Sequence, residues 1–462
     1  MEGVALLRSV EVGGALVDVA LADGRVAAVQ PAGTGLQPRA DGEVLDGQGG
    51  ALIPGLHDHH LHLRSLAAEL ASVHAGPPAV GDADHLRQVL QDADARLPPG
   101  AWIRATGYHE SVAGELDRAA LDALLPRTAR GRAIRVQHRS GALWMLNGAA
   151  LVAVGEPDHP DGRYFRQDAW LAERMPHQPL DLAAVGRLLS AQGVTAATDA
   201  TPFTDAAELE PLADAVRSGA LPLRLTVMGA PSLDPSLIPA PLLVGPAKIL
   251  LPDHQLPSLD LVVEQVRLAR SFGRAVAVHC VTREALALTV AAIDQAGGSV
   301  PGDRIEHGAV VPPDLRDEVL RLGLVVVTQP NLVAERGDDY LEAVDPDDLP
   351  HLWPCRSLLD AGVGVRAGTD APFGRPDLWA LVAAATRRRT EQGEVLGPDE
   401  VVDGGVALSL LTDDRRHQVQ VGDRADLCLV SGSLAATLAD PLVTKVTAAI
   451  LGGDLVWSSP AV

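Results

Sequence analysis

Apolar and polar positions fall into two textures along this chain. Near the N-terminus they alternate, as in VALLRSVEV and ALVDVALADGRVAAVQ, with Asp23-Gly24 set between two alternating runs. Alternation broken by an Asp-Gly pair predicts an antiparallel hairpin. The C-terminal stretch repeats the texture in ADLCLVSG (residues 425–432) and VTAAILGGDLVWS (446–458). The simplest arrangement puts residues 1–54 and 411–462 in one small composite β-sandwich domain, with the middle of the chain inserted between them.

The middle is different. Short β-branched runs that are apolar almost throughout read as buried strands: GVTAATDAT (193–201), LRLTVMGA (223–230), AKILLPD (247–253), AVAVHCV (275–281), DRIEHGAVV (303–311), LVVVTQPN (324–331) and GVRAGTDAP (364–372). Ala/Leu-rich segments of helical period separate most of them. With the run before His60 they make eight β/α units, which predicts an α/β protein built on a (β/α)8 TIM-like barrel over residues 55–410, its site at the C-terminal ends of the strands. Residues from about 67 to 192 are too many for one crossover. They are expected to form an insertion, with signals of its own in WIRATGYHES (102–111) and AIRVQHRSGALWMLN (133–147).

Size and charge narrow the function classes. A chain of 462 residues can bury a large core, and its three cysteines, Cys280, Cys355 and Cys428, lie far apart with no CxxC pair. That usage fits a reducing compartment and small buried apolar residues. The net charge of −22 is spread along the chain with no basic stripe, which argues against a nucleic-acid partner. No run is long and apolar enough for a membrane span, so a soluble, cytoplasmic protein is expected.

Candidate chemistry begins at PGLHDHHLHL, residues 54–63. Residues two apart on a strand share a face, so His60 and His62 can reach one metal ion, whereas His57 and His59 have the opposite parity. Histidine pairs also occur on solvated loops, so the rest of the chain must decide. His279 closes AVAVH, His307 closes DRIEH, Asp370 follows RAGT, and Lys248 lies in AKILL. Each alone has an ordinary explanation: a hydrogen-bonded histidine, a helix-capping aspartate, a snorkelling lysine. A barrel would bring all of them to one mouth with His60 and His62.

With these residues in place, the chain resembles the amidohydrolase superfamily of metal-dependent hydrolases over nearly its whole length. The first-strand motif PGxxDxHxH is met by Pro54, Gly55, Asp58, His60 and His62; the strand-five and strand-six histidines by His279 and His307; the strand-eight aspartate by Asp370 in GTDAP. GYHES, LWMLN, QPN and RSLLDAGVGVRAGTDAPFG resemble the long-insertion branch, the YtcJ-like amidohydrolase family 3, similar in length and architecture to thiocarbamate (molinate) and phenylurea hydrolases. The resemblance implies one or two divalent ions per chain, zinc first, with cobalt, manganese or iron as alternatives. His60, His62, Lys248, His279, His307 and Asp370 would be the ligands. Lys248 would be a carboxylated bridge between two ions, the alternative being an unmodified lysine and one ion. Asp370 would be the catalytic acid–base, and Asp58 would orient the site.

Weaker candidates for substrate contact are Arg64, Tyr108, His109, Trp144, Asn331 and Trp353, with His138 beside them; packing is the ordinary role for each, and Asp199 is expected to support the mouth. The implied activity is hydrolysis of an amide, carbamate, thiocarbamate or urea bond of a small molecule, in a homo-oligomer. Two alternatives stand. A deaminase of a heterocyclic base would carry a glutamate three residues after the strand-five histidine, whereas Glu284 follows His279 by five. A non-catalytic scaffold would lack a full ligand set. The 13 aromatic residues do not signal a large stacking pocket, and an aliphatic one is compatible.

Overall fold

Alternation at the N-terminus becomes pairing. Strands Ala15–Ala22 and Arg25–Pro31 run antiparallel with Ala22 opposite Arg25, and the turn residues Asp23 and Gly24 take φ of +51° and +70°. Positive φ at both central positions is what a type I′ hairpin needs, and Asp-Gly adopts it at low cost. The computed structural model describes residues 3–38, 42–77, 79–125, 131–175, 180–252 and 255–459; Asp253, at the end of AKILLPD, lies outside them. The chain is of mixed α/β type and divides into two units, Met1–Leu63 with Leu182–Val462, and Arg64–Asp181.

In the first unit, strands from both ends of the chain share one eight-stranded sheet. Ala51–Pro54 is the link: it pairs antiparallel with Leu427–Val430 and touches Val4–Val12 at Glu11. Leu7, Val10, Val19, Leu427, Leu429 and Ile450 are buried together on this sheet, the alternating apolar face that the sequence pattern requires. After Pro54 the chain passes Gly55, where a Cβ would collide with the Thr195 side chain, and enters the parallel strand Leu56–Leu61.

Two all-parallel sheets follow. Leu56–Leu61, Val194–Asp199, Arg224–Val227 and the short Leu243–Val244 form a four-stranded sheet in sequence order. Ala247–Ile249, Val276–Cys280, Arg304–His307, Val325–Thr328 and Gly364–Ala367 form a five-stranded one, also in order. Leu56–Leu61 and Val194–Asp199 are buried at every position, which is why their sequences do not alternate. Backbone hydrogen bonds join the sheets at both edges. Lys248 N–H donates to Gly229 C=O (2.8 Å) on one side; on the other, Asp370 N–H donates to His60 C=O (2.7 Å) and His62 N–H to Ala371 C=O (2.8 Å).

Helices follow several strands, each set by a local signal. Leu259–Ser271 is capped by Ser258, whose hydroxyl accepts from Leu261 N–H, and it buries Val262, Val263, Val266 and Ala269 at helical spacing. Arg283–Gln295 is capped by Thr282 in the same way and buries Leu286, Val290 and Ile293.

The second unit has its own five-stranded sheet, in the order Arg163–Phe165, Leu143–Leu146, Ile134–His138, Ile103–Tyr108, Val73–His74. One apolar cluster packs Leu86, Leu90, Ile103, Tyr108, Ile134 and Val136, and a second packs Trp102, Trp144, Leu146, Leu151 and Tyr164. Among the described residues, no helix is long and apolar enough to cross a membrane.

Candidate metal centre

His60 and His62 stand at the end of the first parallel strand, and Asp370 stands just past the last. The Nε2 atoms of both histidines lie 3.4 Å from Asp370 Oδ1. Two atoms each about 2.1 Å from one tetrahedral ion would be about 3.4 Å apart. His60 Nε2 and Asp370 Oδ1 are buried and have no hydrogen-bond partner, although leaving such atoms unpaired carries the full desolvation cost. Two orphaned lone-pair atoms facing each other beside a third at ligand spacing fit a divalent cation. Among the described residues these three side chains form the single group with metal-ligand geometry.

The imidazoles are held by their other nitrogens. His60 Nδ1 bonds to the fully buried Glu306, which also accepts from the Arg304 guanidinium. His62 Nδ1 lies 3.1 Å from Thr201 Oγ1. His307 Nδ1 lies 2.9 Å from Gln329 Oε1, and Gln329 spends its amide N–H on Val327 C=O (3.2 Å). That leaves the amide oxygen to accept from Nδ1–H, so the remaining nitrogen of His307 carries the lone pair. A metal-binding imidazole is oriented in this way. Glu306 and Gln329 were not foreseen as members of the site.

Charge states suit ligands. Burial lowers His60 well below the ordinary histidine value, with Lys248 and His307 adding to it, and burial lowers His307 to about 4. Burial alone would raise Asp370, but its contact with His62 and the neighbouring imidazoles of His307 and His60 outweigh that, so its carboxyl is held low. Neutral imidazoles and an ionised carboxylate are the forms that bind a cation.

The loop carrying Asp370 is fastened to the first strand. Asp58 accepts from Thr369 N–H (3.0 Å), Thr369 Oγ1 (2.6 Å) and His60 N–H (3.2 Å), while burial raises its pKa to about 7 against those donors. Gly368 has no room for a side chain, since a Cβ would meet His60 N and Asp58 Oδ1. Asp370 and His307 both take left-handed backbone, φ +57° and +70°, strain that non-glycine residues sustain where the surroundings fix them. Asp199 accepts from Leu63 N–H (3.1 Å) and Thr201 N–H (2.9 Å), tying the second strand end to the first.

The remaining candidates are placed as follows. His279 sits with its ring 4.5 Å from that of His307, which in turn is 4.7 Å from that of His60. Lys248 is buried, and its ammonium is lowered by that burial against the fields of Glu306 and Asp370. Asn331 is buried and donates to Glu335 and Thr369 C=O, with its Oδ1 unpartnered. Trp353 is buried in a cluster with Val310 and Leu332. Arg64, Tyr108, His109, His138 and Trp144 belong to the second unit. There Tyr108 donates to Gly114 C=O (2.6 Å), Trp144 lies under Arg104 and Arg135, and His138 bonds to Glu110 (3.1 Å). His57 and His59 stack on each other, and His57 bonds to Asp413 (2.6 Å) and Thr198 (2.9 Å).

Comparison with known proteins agrees with this picture. The model of the amidohydrolase family matches residues 43–456. N-substituted formamide deformylase from Arthrobacter pascens is 26% identical, with 89% of each chain covered. Among solved structures, an uncharacterized metal-dependent hydrolase from Pyrococcus horikoshii OT3 superposes with TM-score 0.76 at 19% identity, covering 95% of this chain and 98% of that one. N-isopropylammelide isopropylaminohydrolase from Burkholderia multivorans superposes with TM-score 0.55 at 17% identity, covering 98% of each chain. A match over nearly all of the chain, with His60, His62 and Asp370 drawn together inside it, makes this protein a member of the amidohydrolase family.

Proposed function

We propose that this protein is a metal-dependent hydrolase that cleaves the carbon–nitrogen bond of a small N-substituted amide, carbamate or urea, or the related bond of a thiocarbamate. The observation that carries the reading is the orphaned pair His60 Nε2 and Asp370 Oδ1, with His62 Nε2 at the same distance from the carboxylate. The two parallel sheets, bonded along both edges, are read as parts of one eight-stranded barrel in which Leu243–Val244 and Ala247–Ile249 are two pieces of a single strand, with these residues at its mouth.

His60, His62 and Asp370 would hold a first ion, and His279 and His307 a second. Lys248, carboxylated by CO₂ with loss of a proton, would be the anionic bridge; its lowered pKa favours the free amine that reacts. Bound divalent metal supplies an acidified water and a polarised substrate carbonyl. The residues do the rest. Asp370 would take a proton as water adds to the carbonyl carbon and return it to the departing nitrogen, or to the departing sulfur of a thiocarbamate, a role worth roughly 10²–10⁴ in rate. Glu306, Thr201 and Gln329 keep the imidazoles aimed.

The relation to a formamide deformylase makes N-substituted formamides the first class to test. Ring deamination is less favoured, because Glu284 is exposed on the first turn of Arg283–Gln295. The experiment is release of amine from formamides, carbamates, thiocarbamates and ureas by metal-loaded protein and by Asp370→Asn. Turnover of at least one class, lost in the folded Asn variant, is the expected result; an active Asn variant contradicts the role of Asp370.

A further inference from the structure

Exposure rises outward across the metal centre. The side chain of His60 is 0% exposed, Asp370 11% and His62 16%, while Phe373, three residues past Asp370, is 57% exposed. The Phe373 ring stands edge-on to the His62 imidazole, with centroids 5.6 Å apart and an interplanar angle of 88°. The exposed Phe373 ring is therefore in contact with His62, the most exposed of the three ligand side chains.

The backbone under Phe373 is fixed. Phe373 N–H and Gly374 N–H both donate to Asp370 C=O (2.8 and 3.2 Å), and Arg336 donates to Phe373 C=O. Gly374 is packed so that a Cβ would strike Thr369 O and Asn331 Nδ2. A ring on a fixed backbone is partly preorganised for contact, since the backbone beneath it needs no ordering on binding. The neighbouring cations are engaged: Arg336 with that carbonyl, Arg375 with Glu391 at 2.6 Å. What this edge of the centre presents is an aromatic surface.

We infer that Phe373 is a specificity-determining residue, and that its ring receives an aromatic or other apolar substituent of the substrate next to the bond that is cleaved. This rests on the metal-hydrolase reading above. It assigns the substrate to amides, carbamates or ureas bearing an apolar ring.

The test uses two metal-chelating probes, acetohydroxamate and phenylacetohydroxamate, titrated calorimetrically into metal-loaded protein, Phe373→Ala and Phe373→Leu. Wild type is expected to prefer the phenyl compound. Phe373→Ala should shrink that preference by about 2- to 12-fold, the range of an aromatic pair, and Phe373→Leu should shrink it less. An unchanged ratio in Phe373→Ala, or equal weakening of both probes, overturns the inference and leaves the metal centre standing. If neither probe binds the metal-loaded wild type, the metal-hydrolase reading itself fails and the inference with it. Thermal melts of both variants confirm that the folded chain is being compared.

Discussion

Glu306 takes the hydrogen bond of His60 Nδ1 and so turns the opposite nitrogen of the ring toward Asp370. The carboxylate is fully buried and is itself steadied by Arg304, which also reaches His59 C=O (3.1 Å). A carboxylate behind a metal-binding imidazole fixes its tautomer and raises its basicity. Glu306→Gln should therefore weaken metal affinity by about 10- to 100-fold, read by competition with a chromogenic chelator. Affinity within a few-fold of wild type would mean that His60 is oriented by packing alone.

Gly368 is the point where the last parallel strand passes the first. A methyl group there meets His60 N and Asp58 Oδ1, and neither can retreat without breaking the bonds of Asp58 to Thr369. Overpacking of this kind costs about 1–3 kcal/mol. Gly368→Ala should lower the melting temperature and the metal content together; a variant that keeps both would show that the strand ends have slack.

The His57–Asp413 contact contributes to behaviour in acid. Burial would raise Asp413, but the His57 hydrogen bond and the charges of His57 and Arg224 prevail and hold it well below the usual carboxylate range. A carboxylate depressed in the folded state stabilises the fold fully above its unfolded pKa of about 3.9, and that contribution is lost as the pH falls from there toward the folded value. Asp413→Asn should flatten the loss of stability below about pH 4, measured by denaturant unfolding at a series of pH values. Parallel wild-type and variant curves would remove the pair from the acid response.

Thiol chemistry gives a simple check on the core. Cys280, Cys355 and Cys428 are all buried, and burial pushes the Cys355 and Cys428 thiols up to about 12. A thiolate is the reactive form, so native protein should react with Ellman's reagent far more slowly than unfolded protein, which should titrate three groups. Fast labelling of the native state would contradict the burial.

Which features could be read from the sequence follows from the physics of strands. Val194–Asp199 is legible because a strand buried on both faces shows no polar alternation, and the hairpin at Asp23-Gly24 because its turn demands positive φ; Leu56–Leu61, with sequence LHDHHL, is legible only through its histidines, since the apolar run Ala51–Ile53 before it belongs to the sheet of the chain ends. His60, His62 and Asp370 are legible as strand-end ligand types. Glu306 was not, since a glutamate beside His307 reads as solvated or of opposite parity. Two facts invisible in the sequence reverse this: Glu306 lies in register with His279, and His307 turns into left-handed backbone, so both neighbours serve one centre. Gln329 and Thr201 were hidden for a related reason. Their role is fixed by which nitrogen of a distant histidine they meet.

The central claim is that His60, His62 and Asp370 converge on a metal ion, and the most direct test is crystallography of metal-replete protein with anomalous data collected at the edge of the bound metal. The account expects an anomalous peak within about 2.3 Å of His60 Nε2, His62 Nε2 and Asp370 Oδ1, a distance set by ordinary metal–ligand bonds. Metal-replete crystals with no peak at that position, or with a hydrogen-bonded His60 Nε2 in its place, would contradict it.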